Sequence, residues 1–310
     1  VSAAEAKKVV GVGLACLDQL IRWQDASLPV HGNRVLDYSV QGGGLVGTAL
    51  TAVARLGGRA EWWGAVGDDW MGRMVLESLS TEGIDVTHAH TIEGGRGPMV
   101  LVCVDGASGE RHFLYSVGRL DPQTRVDPPE GLRGAGCLLI DGTLRESAAR
   151  AADEAHRLGI PVVCDSQWGT GEGLRELLSR VDHAILGEGR ALRQEVGEDY
   201  ERACRIIREM GPQHVVITLG ARGLASMDGD RFRRMPAFPV EVVDTTGAGD
   251  VFHGAFCQGL VLGLDIEQDL AFASAAASLK CRRLGGRAGI PAYDEVLAFL
   301  AERGIRLPKS

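Results

Sequence analysis

Residues 244–250, DTTGAGD, set two aspartates around two threonines and two glycines, directly before the apolar, small-residue stretch VFHGAFCQGLVLG. Glycines ahead of a helix let the chain turn tightly and let a bulky anion approach bare backbone N–H groups. The amides of Gly247, Ala248, Gly249 and Asp250 would then form an anion hole backed by the positive end of the helix dipole. A carboxylate in that first turn, Asp250, stands beside the anion and could take a proton from a hydroxyl attacking a phosphoryl group. The helix end would lower its pKa. That matters little in a loose transition state, where the proton leaves as the bond to phosphorus forms. The plain alternative is an acidic residue that only favours a helix start, the ordinary reason for one there.

The lysines narrow the chemistry further. Only Lys7, Lys8, Lys280 and Lys309 occur, and no GK dipeptide exists. The GxxxxGK[ST] phosphate loop and the VAIK lysine of protein kinases are therefore both absent. Nucleotide chemistry would have to rest on backbone amides, arginine or metal. A net charge of −8 without a basic run argues against nucleic acid or an anionic membrane as partner. The seven cysteines are scattered and never spaced as CxxC, against a disulfide framework or zinc site and in keeping with a cytoplasmic protein. No apolar run is long enough to span a bilayer, and the first residues lack a signal peptide's apolar core.

The elements that must position DTTGAGD alternate between apolar strands and amphipathic helices. KKVVGVGLACLDQLI reads as a buried parallel strand. It carries Gly11 and Gly13, but Cys16 replaces the third glycine of a dinucleotide fingerprint and no helix pattern follows. GTALTAVARLGG gives a small-residue helix, after which AEWWGAV, CLLID, IPVVCD, HAILG and HVVITLG read as strands separated by helices. FPVEVVD reads as a strand leading into the motif. This pattern predicts an α/β fold, a mostly parallel sheet with helices on both faces, in which ligands gather at the carboxyl ends of the strands. Residues 33–40 and 98–116 alternate like exposed antiparallel strands, the second folding at DGASG, and suggest a small β-lid. One domain spanning 1–310 is expected, with lid segments around 15–41 and 97–119. Trp62 and Trp63 straddle a strand and read as one core and one surface residue. His253 reads as packing or capping; Arg282, Arg283 and Arg287 could meet phosphates, but a solvated, positively charged helix end is the ordinary reading. Asp165, at the end of PVVCD, faces the ligand side.

The full string DTTGAGDVFHGAF resembles the C-terminal signature of the ribokinase-like (PfkB-type) carbohydrate kinases. GGLVGTALTAVARLG is similar to their glycine-rich N-terminal signature, with VGDDWMG and TLGARG in the expected order. The resemblance implies a three-layer ribokinase-like fold, a β-lid that often forms a homodimer contact, and transfer of the ATP γ-phosphate to a sugar or nucleoside hydroxyl. It implies Asp250 as general base and Gly247, Ala248 and Gly249 as its anion hole. Asp18, Gly43, Gly44 and Thr48 would meet the sugar. Thr218, Gly220, Gly223, Ser274 and Ala277 would meet the nucleotide. A monovalent-cation site, for K+, aligns with Asp244 and the backbone of Thr246, Lys280 and Gly285, where Gly289 replaces a serine. Lid residues Tyr38, Phe113 and Tyr115 could pair two lids.

Several positions depart from that pattern. Thr48 stands for the usual asparagine and Leu45 for the lysine of ribokinases, against a true ribokinase. The NxxE element that helps organise Mg2+ through water is Gly187 and Arg190, with Glu188, one place displaced, offering the carboxylate. VVDTTGAGDVFHGA and LKCRRLGGRAGIP look most like 6-deoxy-6-sulfofructose kinase. Yet the positions facing a sulfonate would hold Asn33, Tyr115 and Thr143, with Arg34 the one nearby cation. A nucleoside kinase of the same family and a non-catalytic sugar-binding regulator are the alternatives.

Overall fold

The computed structural model describes residues 7–23, 35–105, 111–116, 132–167 and 172–308, with single positions 118 and 126. The described elements begin with β1 (Lys8–Val12), β2 (Cys16–Trp23), β3 (Val35–Gly43), α1 (Leu45–Arg55), β4 (Arg59–Trp63) and β5 (Ala65–Gly67). Then come α2 (Trp70–Thr81), β6 (His90–Ile92), β7 (Met99–Asp105), β8 (Arg111–Ser116), β9 (Ala135–Asp141) and α3 (Arg145–Arg157). The alternation continues through β10 (Val162–Gln167), α4 (Glu172–Leu178), β11 (His183–Gly187), α5 (Arg190–Val196), α6 (Tyr200–Arg208) and β12 (His214–Thr218). β13 (Leu224–Asp228), β14 (Arg231–Met235), α7 (Ala248–Leu262), α8 (Ile266–Lys280) and α9 (Tyr293–Ala301) complete it.

The main sheet runs β14-β13-β12-β11-β10-β9-β1-β4. β4, β1 and β9 to β12 are parallel, and β13 and β14 join antiparallel at one edge. The parallel strands are mostly apolar because both faces are covered. Alternate residues feed two cores: Val9 and Trp62 pack with α1, α2, α7, α8 and α9, while Val10, Val12 and Trp63 pack with α3 to α6. This is the expected three-layer arrangement. It also corrects the reading of the tryptophans, since both are fully buried, one on each face.

Two further expectations change. KKVVGVGLACLDQLI is not one strand. A Cβ at Gly13 would collide with the Asp141 carboxylate, which accepts the N–H of Leu14 at 2.8 Å, and there the chain leaves the main sheet. It re-enters as β2 in a separate four-stranded sheet, β3-β2-β7-β8, the lid. Asp18 therefore sits on β2 of this second sheet, inside the segment around 15–41 expected as lid, and not on a continuation of β1. The second change concerns FPVEVVD, which forms no strand; residues 236–243 cross in irregular structure, held where the Val243 and Asp244 amides donate to the Cys281 carbonyl. Helix α7 is fixed close to α1, because Gly254 leaves no Cβ to collide with the Ala49 carbonyl. That contact, with the left-handed C-cap Gly263 (φ 73°), anchors the helix whose other end carries DTTGAGD.

Candidate active site

Gly247 caps α7 in the left-handed conformation, φ 74°, which a residue with a Cβ rarely adopts. A Cβ there would also come 2.7 Å from the Gly286 carbonyl oxygen. The Thr246 N–H and hydroxyl donate to Asp244 Oδ1 at 2.9 and 2.8 Å, and the Gly285 N–H donates to Oδ2 at 2.8 Å. Asp244 thus staples the motif to the 285–287 loop, and those donors hold its carboxyl below the usual carboxylate range against the cost of burial. The first intrahelical bond is Val251 N–H to the Gly247 carbonyl, and the Ala248 amide closes a turn onto Thr245 at 3.2 Å. The helix-end amides that remain for an anion include those of Gly249 and Asp250. The Ala248 amide, expected in the anion hole, is engaged in that turn.

Gly249 has ordinary backbone dihedrals and open space beside it. The two glycines should accordingly respond differently to substitution. Gly247→Ala should lose on the order of 1–2 kcal/mol of stability from the left-handed backbone alone, with further loss from the Gly286 contact. Gly249→Ala should melt like the parent but handle ATP poorly, because its methyl stands where the anion would sit. Thermal melts and steady-state kinetics on both variants check this; unchanged ATP kinetics in Gly249→Ala would remove the anion-hole assignment.

Asp250 is half-buried in the first turn of α7. Burial, followed by repulsion from Asp165 and Asp18, pushes its carboxyl well above the usual range, while Arg287 and Lys280 pull it back. This direction is opposite to the lowering expected from the first-turn position alone. Asp18, 8% exposed on β2, accepts the Cys16 thiol at 3.3 Å and is likewise raised by burial and lowered by Arg287. A Cβ at Gly43 would collide with the Asp18 carboxylate, and one at Gly286 would lie 3.8 Å from Asp18 Oδ2 and 3.9 Å from the Thr246 methyl. Asp18, the bare backbone of Gly43 and the DTTGAGD turn thus converge on one spot. Gly44 (φ 85°) caps α1, whose Thr48 is buried below.

Arg287 is the residue that sequence reasoning misplaced. It is not a solvated helix end: it is 5% exposed, and its guanidinium donates to the Gly43 carbonyl at 2.8 Å and reaches Thr48 Oγ1 and Ser78 Oγ at 3.5 Å. Burial lowers its pKa to about 10, offset by Asp18, Cys16, Glu82 and Asp250. Cβ atoms at Gly42 and Gly47 would run into this guanidinium. Those two glycines were the available signal, a slot left for a large side chain.

Behind Asp250, Asp165 lies 3.5 Å from His253 Nδ1, and the histidine's ring nitrogens sit 2.7 Å from the Gly249 carbonyl and 3.2 Å from that of Ile185. His253 packs, as expected, but against the helix end itself. Among the positions expected to meet a nucleotide, Thr218 ends β12, Gly220 (φ 58°) and Gly223 (φ 87°) frame a 3-10 turn, and a Cβ at Gly223 would collide with the Met235 carbonyl. Ser274 and Ala277 are half-buried on α8 among fully buried neighbours. Glu188 is fully engaged. Its oxygens accept from Arg193 at 2.8 Å and at close range from Arg222 and Tyr200, which holds it at about 2. Using it to organise magnesium would mean dismantling that cluster.

The monovalent-cation site also fits poorly. Asp244 already receives three donors, the fully buried Lys280 ammonium donates to the Asp244 carbonyl at 2.9 Å, and a side chain at Gly289 would collide with the Lys280 carbonyl. A cavity of about 550 Å3 lined by His156, Asp182, His183 and Gln213 lies at the amino ends of the strands, away from this chemistry.

Comparison with known proteins places the chain in a family. A family model described as pfkB family carbohydrate kinase matches residues 6–292. The chain is 30% identical to a ribokinase of Bacillus subtilis (strain 168), over 88% of this chain and 93% of that one. Among solved structures, a candidate ribokinase from Agrobacterium tumefaciens superposes with a TM-score of 0.88 at 29% identity, covering 97% of this chain and 100% of the other. Arabidopsis thaliana ribokinase complexed with ribose and ATP shares the fold, with a TM-score of 0.82 at 24% identity over 95% and 99% of the two chains.

Proposed function

This chain belongs to the pfkB family of carbohydrate kinases, and we propose that Asp250 is the base by which it moves the ATP γ-phosphate to a primary hydroxyl of a small sugar. ATP supplies the phosphoryl group, and the Gly249 and Asp250 amides bind its developing negative charge at the helix end. Thr218, Gly220, Gly223, Ser274 and Ala277 hold the nucleotide. Asp18 and the Gly43–Gly44 backbone orient the acceptor, and Asp250 takes its proton. Magnesium is carried by the phosphates and water, with the Glu188 cluster left intact. The observation that carries this reading is the convergence of Asp18, Arg287 and Asp250 around the left-handed turn at Gly247.

An ATP-consumption assay over a panel of sugars tests it. At least one small sugar should be phosphorylated; no turnover with any would favour a sugar-binding regulator, and preference for adenosine a nucleoside kinase. 6-Deoxy-6-sulfofructose belongs in the panel because of VVDTTGAGDVFHGA and LKCRRLGGRAGIP. Of the positions expected to face its sulfonate, Asn33 and Arg34 lie outside the described residues. Tyr115 is 77% exposed, and the Thr143 amide is spent on Asp141.

The lid supports a homodimer. Its edge strands β3 and β8 expose Tyr38, Val40 and Leu114, which the strand register puts on the face opposite Asp18, while Tyr115 lies in register with Asp18 on the other face. The side chain of Phe113 lies outside the described residues. Tyr38→Asp combined with Leu114→Asp should convert the dimer to monomer in sedimentation; a parent already monomeric at micromolar concentration would exclude the lid contact.

A further inference from the structure

We propose that the Lys280 ammonium is a resident cation at the foot of the phosphate-binding turn, standing in for a bound monovalent ion, so that the protein works without potassium. The inference rests on the kinase reading above for its consequence, but on geometry for its content. Lys280 is the last residue of α8 and has no exposed surface, yet its ammonium donates to the Asp244 carbonyl at 2.9 Å. Burying an ammonium is costly unless it is hydrogen-bonded and faces compensating charge. The compensating groups are the two aspartates of the motif, since the charge on Lys280 draws the carboxyls of both Asp244 and Asp250 downward.

The surroundings oppose a second cation. Both Asp244 oxygens already accept backbone or hydroxyl donors from Thr246 and Gly285. Gly289 offers no side-chain oxygen and has no room for one, because a Cβ there would collide with the Lys280 carbonyl. Two unit cations within a few ångströms in a buried setting repel strongly. The tethered ammonium does what an ion would do there: it pins the Asp244 carbonyl, three residues before the helix cap, and places fixed positive charge behind the anion hole.

The test is a cation exchange at constant ionic strength between potassium, sodium and tetramethylammonium chlorides, on the full chain. The unfolding temperature and the kcat for whichever sugar is phosphorylated should be the same in all three. A several-fold rise in kcat, or a rise in Tm, specific to potassium would overturn the proposal. Lys280→Met should lose kcat and gain a potassium-dependent Tm, with methylammonium restoring part of the activity. A folded Lys280→Met that responds to no added cation would also overturn it. Should that variant not fold, the wild-type measurement decides alone. If no sugar is phosphorylated, the kinase reading fails while the Tm comparison still judges the cation.

Discussion

Asp250→Asn should fold, bind ATP and lose nearly all turnover. General-base help is worth ~10²–10⁴-fold, and the same carboxylate also orients the attacking hydroxyl, so a drop in kcat toward or past the upper end is expected. The amide keeps the shape of the side chain and removes only the charge and the proton acceptor, so Tm should hold or rise as repulsion from Asp165 and Asp18 is relieved. A folded variant keeping more than about a tenth of the parent kcat would show that Asp250 is not the base. The pH profile gives a second reading of the same group. Because burial and neighbouring carboxylates raise Asp250, the acid limb of kcat should lie above that of an ordinary exposed carboxylate. Asp165→Asn removes one repelling charge, lowers the folded pKa of Asp250 and should move that limb to lower pH. Arg287→Met removes an attracting charge and should move it up. A limb that stays put in both variants would separate the pH dependence from Asp250.

The helix start at DTTGAGD and the parallel sheet could be read from the chain because both are written locally. Apolar runs report a strand covered on two faces, and glycines ahead of an apolar helix report a turn that side chains would obstruct. What could not be read this way depends on where distant segments meet. A lid segment around 15–41 was legible, but KKVVGVGLACLDQLI also reads as one strand, and only the approach of Asp141 to Gly13, 128 residues apart, shows where the chain leaves the main sheet before Asp18. Arg287 sits among arginines in a segment that looks exposed, and its burial follows from slots at Gly42 and Gly47 more than 200 residues earlier. FPVEVVD has the composition of a strand but no place in the sheet, whose far edge β14 ends just before it, at Met235. Hydrophobic pattern sets how much of a segment is buried, but not against what.

Asp18→Ala should raise the KM for the sugar by about 10- to 10³-fold, with ATP affinity little changed. A carboxylate bonded to two hydroxyls contributes roughly 1.5–3 kcal/mol per charged hydrogen bond, and competition from water in the free site trims that sum. The location of Asp18 adds a second expectation. It is carried by β2, the strand hydrogen-bonded to both β3 and β7, so it lies within the lid and not beneath it. Sugar bound to Asp18 is then bound to the lid directly, while Asp250 stays with the main body on α7. Drawing the acceptor hydroxyl toward Asp250 should pull the lid down and exclude water that would otherwise hydrolyse ATP. Amide exchange in residues 35–43, 99–105 and 111–116 should slow on adding sugar to the parent. In Asp18→Ala the slowing should be lost even at sugar concentrations that saturate the variant, because binding would no longer be tied to β2. Equal protection with and without sugar in the parent, together with an unaltered KM in Asp18→Ala, would move the acceptor site away from the lid.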